Sequence, residues 1–201
     1  SFKSEEKNLL DIGCGTGDFL QIAQKNNWSV SGIEPNEQAR EIANKKTNES
    51  VFKTEQLLNF KKQSFDVITL WHVLEHLPNL EDHIGVFKKL LKPKGTLLIA
   101  VPNYNSFDAK HYKQFWAAYD VPRHLWHFNQ SSISKLVSKY ALRVEKVKPM
   151  WFDSFYVSML STQYQAGKVN YFNSVWQGIR STIRTIQDPE RASSLIYEIG
   201  Y

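Results

Sequence analysis

Cysteine is almost absent from this chain: Cys14 is the only thiol among 201 residues. One thiol excludes an internal disulfide framework, and no Cys/His spacing matches a zinc site. Long apolar runs are missing too. None approaches the ~18 residues that a membrane span needs, and nothing at the beginning has the layout of a signal peptide. The sequence begins at Ser1 rather than Met, so what precedes it stays open. A cytoplasmic location is the expectation. No polybasic arm or RNA-stacking motif is present, which disfavours a nucleic-acid partner. Nor does any repeat, linker or low-complexity tract divide the chain, so residues 1–201 are expected to form one domain.

What is there is ordinary for a globular protein. Apolar residues make up 42% and charged residues 22%, and the length suffices for one α/β domain with a substantial core. The net charge of +5 is unevenly placed. Residues 1–100 hold 13 Lys+Arg and 13 Asp+Glu, whereas residues 101–201 hold 12 and 7. That excess suits an anionic partner, and equally a solvated basic surface.

The chemistry starts at Asn8-Leu9-Leu10-Asp11-Ile12-Gly13-Cys14-Gly15-Thr16-Gly17-Asp18-Phe19-Leu20. This stretch reads as an apolar strand, a glycine turn and a helix opening, the context that makes such a turn informative. The glycines let the backbone take positive φ and leave room for a ligand over the helix amides. A dinucleotide fingerprint would need Gly or Ala where Asp18 stands. An acid there repels a pyrophosphate and tolerates an ammonium, so G-x-G-x-G after Asp11 favours S-adenosylmethionine (SAM) over NAD.

The segment 9–17 resembles the first motif of the class I SAM-dependent methyltransferases. Three further segments resemble the same family in order: Glu34 at the end of the second strand, Trp71-His72-Val73-Leu74-Glu75-His76-Leu77, and Leu90-Leu91-Lys92-Pro93-Lys94-Gly95. The segment 71–77 is close to the branch that contains quinone-biosynthesis and glycan-cluster methyltransferases. The resemblance implies a Rossmann-like, doubly wound, mostly parallel seven-stranded sheet. Its last strand is antiparallel, between the fifth and sixth, and helices cover both faces. It also implies SAM as cofactor, with S-adenosylhomocysteine as product.

Periodicity supports this order. Strands are expected at 8–12, 28–33, 51–53, 64–70, 96–101, 142–147 and 192–199. Phe19, Ile22 and Ala23 mark one helix, stopped at Asn26-Asn27. Pro35 opens a second with Ala39, Ile42 and Ala43 inward, and 80–92 forms another, closed by Pro93-Lys94-Gly95. A helix also starts at Asn129.

Asp11, Gly13, Cys14, Gly15 and Gly17 form the expected cofactor turn. Glu34 would accept both ribose hydroxyls, or else serve the dipole of the next helix. Pro35, Thr54 and Glu55 would flank the adenine, and Leu70 and His72 would stand near the methyl group. Glu75 and His76 are read as orienting the loop by hydrogen bonding. The long aromatic segment 104–129 and the segment 149–190 (Trp151, Phe152, Phe155, Tyr156, Tyr164, Tyr171, Phe172, Trp176) are expected on the substrate side, as loop and lid, although core or partner-surface roles are open.

Asp120-Val121-Pro122-Arg123-His124-Leu125-Trp126-His127-Phe128 resembles a motif of the same branch. Arg123 offers a fork for an anion, with Tyr104 and Tyr119 as further substrate contacts. His124 and His127 are candidate bases. The alternative is an Arg123–Asp120 pair with structural histidines. No metal is expected, because Trp71-His72 lacks the ligands that metal-dependent members carry there. Base methylation of nucleic acids is disfavoured: the Asn/Asp-Pro-Pro-Tyr/Phe tip is absent, and Cys14 lies within the glycine turn.

The expectation is methyl transfer to a small-molecule, lipid- or sugar-linked acceptor, anionic in one version, with oxygen favoured over carbon. A homodimer is compatible with it. The rivals are a SAM-binding but catalytically silent partner protein and a nicotinamide-dependent Rossmann enzyme.

Overall fold

The computed structural model describes residues 7–151, 153–166 and 188–201. A seven-stranded sheet organises them: β1 (Lys7–Ile12), β2 (Trp28–Ile33), β3 (Val51–Phe52), β4 (Phe65–Trp71), β5 (Leu91–Pro102), β6 (Arg143–Pro149) and β7 (Ser194–Gly200). Their order is β3-β2-β1-β4-β5-β7-β6. β1 pairs in parallel with both β2 and β4, and β7 runs antiparallel between β5 and β6. This is the expected Rossmann-like sheet with its last strand reversed.

The central strands are apolar because both their faces are covered. Side chains alternate along β1. Leu10 and Ile12 join the cluster that includes Ile84 and Phe87 of α3 (Leu80–Leu90) and Ile133 and Val137 of α5 (Gln130–Ser138). Leu9 joins Leu20 and Ala23 of α1 (Asp18–Lys25) and Ala43 of α2 (Glu37–Thr47). Helices therefore pack on both faces. Asn36 caps α2 by accepting from the Ala39 amide at 2.9 Å, and Asn129 caps α5 through a capping box with Ser132.

Several local expectations need correction. α3 ends at Leu90, not Lys92, and β5 already begins at Leu91. Pro93 denies Lys92 the helical region. The segment to Gly95 is then taken up as a register shift between the Phe65–Leu91 and Val67–Thr96 pairs. Ile42, expected inward, is 44% exposed, and Ile22 of α1 is 60% exposed. α2 instead buries Arg40, Ala43 and Thr47.

Segment 104–129 is not one irregular loop. It holds α4 (Phe107–Tyr112) and short 3-10 turns at Lys113–Phe115 and Ala117–Tyr119. Tyr112 and Trp116 are buried with Val157 of α6 (Asp153–Ala166) in a separate small cluster. Of the aromatic residues expected in the lid segment, Phe152, Tyr171, Phe172 and Trp176 lie outside the described residues, as do the side chains of Phe155 and Tyr156.

Candidate active site

The sheet order reverses direction between β1 and β4, and α/β proteins bind ligands beyond the strand ends at such a point. Here β1 runs into the glycine turn. Gly13 N donates to the Ile33 carbonyl at 2.7 Å and Gly17 N to the Cys14 carbonyl at 3.0 Å, fixing the turn against β2. The three glycines serve different ends. A Cβ on Gly13 would meet Val73 at 2.5 Å, and one on Gly17 would meet Ala43 Cβ at 2.8 Å, so both are needed for close packing. Gly15, at φ +55, has nothing within 4 Å of that position. Only there is the turn open for a ligand.

Glu34, 8% exposed, stands beside that opening. Its Oε2 accepts from Gly15 N at 2.9 Å and its Oε1 from Asn36 N at 2.9 Å. A carboxylate has about four acceptor positions, so each oxygen keeps one for a vicinal diol. Arg40, which the sequence analysis missed, fixes this tip by donating from Nη1 to the carbonyls of Glu34 and Pro35 at 2.9 and 3.2 Å. Pro35, Arg40, Thr54 and Glu55 help line a hollow of about 240 Å³ next to it.

Asp11 is buried and accepts from Thr69 Oγ1 at 2.6 Å. Burial pushes its carboxyl up to about 7, with Glu34 adding to the rise and the Thr69 hydroxyl opposing it. The Cys14 thiol is pushed up to about 12, by burial first and then by Asp11 and Glu34. It is a neutral wall, not a nucleophile. Asp18 is exposed and turned to Lys46 at 2.7 Å and to Thr16, and these partners hold its carboxyl below the usual range. Its charge is directed at α2 more than at the cleft.

Beyond the tip of β4 lies a cavity of about 320 Å³, lined by His72 and Glu75, by Ala118, Arg123 and His124, and by Val157 and Leu160 of α6. His72 takes positive φ, +55, and its Nδ1 is 3.3 Å from Glu75 Oε1. Glu75 is 1% exposed, and its Oε2 has no hydrogen-bond partner. The Glu75 backbone carbonyl accepts from the amides of Leu125 and Trp126, and His76 Nδ1 lies 3.0 Å from the Arg123 carbonyl. These bonds tie residues 120–126 to the end of β4.

His124 lies within this cavity, with Nδ1 2.8 Å from the Ala118 carbonyl and Nε2 3.9 Å from Asp120. A carbonyl only accepts, so Nδ1 carries a proton, and in the neutral ring the lone pair is on Nε2. His127 does not line it. Its Nε2 is 3.0 Å from the Tyr119 carbonyl, and the ring borders a separate groove of about 580 Å³ between α3 and α5. Arg123 is exposed and pairs with Asp120 at 3.1 Å. Tyr104 accepts from Asn129 Nδ2, while Tyr119 packs on Trp116 and His127. Neither lines the cavity.

Among the described residues, Glu75, His76 and His124 bring one ligand atom each within 4.8 Å of one another. A carboxylate and two imidazoles are donors that a divalent metal accepts. The expectation of no metal rests on Trp71-His72, neither of which belongs to this grouping.

Residues 2–147 match a family described as a methyltransferase domain. A ubiquinone biosynthesis O-methyltransferase of Saccharophagus degradans is 33% identical over 107 residues, covering 50% of this chain and 45% of that protein. One from Azoarcus sp. is 30% identical over 106 residues, covering 49% and 46%. The chain thus spans less than half the length of these curated relatives. A SAM-dependent methyltransferase from Archaeoglobus fulgidus has the same fold, with a TM-score of 0.65 at 18% identity over 97% of this chain and 86% of that one. The fold is the Rossmann-like one of the class I SAM-dependent methyltransferases. Within that class, the chain belongs to the methyltransferase-domain family and resembles the quinone-biosynthesis enzymes.

Proposed function

We propose that this chain transfers the methyl group of SAM to a hydroxyl oxygen of a small-molecule acceptor. The open face of Gly15 beside the doubly held Glu34 suits a nucleoside diol. When bound, SAM supplies a methyl group made electrophilic by its sulfonium. The chain's own task is alignment: His72, Glu75, Ala118, Asp120 and His124 help wall the space in which an acceptor would meet that methyl. His124 takes the acceptor proton at Nε2, while the Ala118 carbonyl fixes its tautomer and Asp120 stabilises the imidazolium. His72, held by Glu75, borders the same space. His127 supports Tyr119 and takes no part in proton transfer.

The observation that carries this reading is the cavity itself. It joins the end of β4 to His124, 49 positions beyond Glu75 in the chain. Oxygen as the methylated atom is supported by the names of the curated relatives. An anionic acceptor is supported by Arg123 at the rim and by the basic second half. Among the described residues no helix is long and apolar enough to cross a membrane.

The test is mass spectrometry of SAM incubated with the chain and a panel of catechols, hydroquinones and glycosides. A product 14 mass units heavier, formed by the unmodified chain and lost in His124→Ala, is expected. Unaltered acceptors across the panel, despite bound SAM, would favour the silent-partner reading.

A further inference from the structure

Beyond the tip of β4, three side chains able to ligate a metal converge: Glu75, His76 and His124. Glu75 is 1% exposed and borders the acceptor cavity. Its Oε1 faces His72 Nδ1, while its Oε2 has no hydrogen-bond partner. A buried carboxylate oxygen without a donor is costly, and a cation beside it would offset that cost.

The two imidazoles are aimed in a matching way. Nδ1 of His76 lies 3.0 Å from the Arg123 carbonyl, and Nδ1 of His124 lies 2.8 Å from the Ala118 carbonyl. A carbonyl only accepts, so each Nδ1 holds a proton, and each neutral ring presents its lone pair at Nε2. Outer-shell carbonyls orient metal-binding histidines in this manner. The two rings meet edge to face, with centroids 4.7 Å apart, a contact that two protonated imidazoles would oppose by repulsion. Asp120, 3.9 Å from His124 Nε2, adds negative charge on the same side and is itself paired with Arg123.

We infer that Glu75, His76 and His124 form a site for a divalent transition metal, zinc above all. Two imidazoles and one carboxylate with a fourth position open suit zinc, whereas magnesium and calcium take oxygen ligands. Zinc–ligand bonds place tetrahedral neighbours about 3.4 Å apart. The three ligand atoms already lie within 4.8 Å of one another, so small side-chain rotations close the difference. The open position faces the cavity that Glu75 and His124 border. On the methyl-transfer reading, loading this site changes the division of labour. His124 Nε2 becomes a ligand, and an acceptor hydroxyl loses its proton to solvent through coordination instead. The site itself does not depend on that reading.

Binding is measured without SAM or acceptor, so its outcome is separate from that of the methyl-transfer assay. The metal-free chain is titrated with zinc chloride by calorimetry and with cobalt(II) by visible absorption, alongside Glu75→Gln, His76→Ala and His124→Ala. The unmodified chain should take a single zinc, bind it more tightly than magnesium, and give the intense visible bands of four-coordinate cobalt. Each variant should lose about tenfold or more in zinc affinity and lose those bands. His76 is exposed, so His76→Ala decides should the other two variants fail to fold. His83→Ala, which removes an imidazole of α3 outside the cluster, should bind zinc as the unmodified chain does. Absent zinc binding, affinity unaltered in His76→Ala, or an equal loss in His83→Ala overturns the site. Magnesium bound as tightly as zinc overturns the choice of metal.

Discussion

Replacing Gly15 and Gly17 by alanine separates what the turn does for the fold from what it does for the ligand. At Gly17 the new Cβ would sit 2.8 Å from Ala43 Cβ and 3.0 Å from Ala43 Cα. Neither can swing aside, because Ala43 is buried within α2. Overpacking of this kind costs about 1–3 kcal/mol, and the left-handed conformation, φ +77, adds about 1–2 kcal/mol for a non-glycine residue. Gly17→Ala should thus lower stability by roughly 2–5 kcal/mol. At Gly15 only the conformational part applies, about 1–2 kcal/mol, since the added methyl meets nothing. That methyl does enter the space proposed for the ligand. Urea unfolding and calorimetric titration with S-adenosylhomocysteine would be run on both variants. Gly17→Ala should show the larger stability loss, whereas Gly15→Ala should stay folded and lose most of its affinity. Undiminished binding by Gly15→Ala would show that the ligand does not lie over this glycine. A Gly17→Ala variant as stable as the parent would refute the packing argument.

Glu34→Ala should weaken S-adenosylhomocysteine binding by about 1.5–3 kcal/mol, the range for hydrogen bonds to a charged group; unchanged affinity by calorimetry would remove Glu34 from the site. Asp11 has a folded pKa near 7 against 3.8 unfolded, so the native state binds its proton more tightly. Stability should therefore fall as pH rises from about 4 to about 7 and level off above. Asp11→Asn removes this slope, and its melting temperature should exceed the parent's at pH 8 but match it near pH 4; parallel curves would contradict the burial argument. His124→Ala should lower turnover at unchanged cofactor affinity, whereas His127→Ala should lower stability with little effect on turnover; the reverse pattern in a methyl-transfer assay would exchange their roles.

Much of the sheet is legible because its strands are buried on both faces, which makes them continuous apolar runs bounded by turn residues. Leu9 to Ile12 and Ile68 to Leu70 are examples. The glycine turn is legible for a similar reason, since backbone geometry admits few residues there. Amphipathic helices were harder. Hydrophobicity pointed Ile42 inward, yet the approach of α2 to Gly17 demands the small Ala43. The buried face then continues through Arg40, whose guanidinium is matched by two carbonyls. The end of α3 was readable from Pro93 and was set two residues late. The acceptor cavity was the least accessible part. His124 and His127 look alike in sequence, and only the chain's return past Glu75 puts one against the β4 tip and turns the other away.

The central claim is that the cleft above Gly15 holds the nucleoside of SAM and opens onto the cavity of His72, Glu75 and His124. A crystal structure with S-adenosylhomocysteine tests it most directly. The account predicts ribose hydroxyls on Glu34 and the thioether sulfur facing that cavity. A ligand bound elsewhere, or a cleft closed by the protein's own side chains, would contradict it.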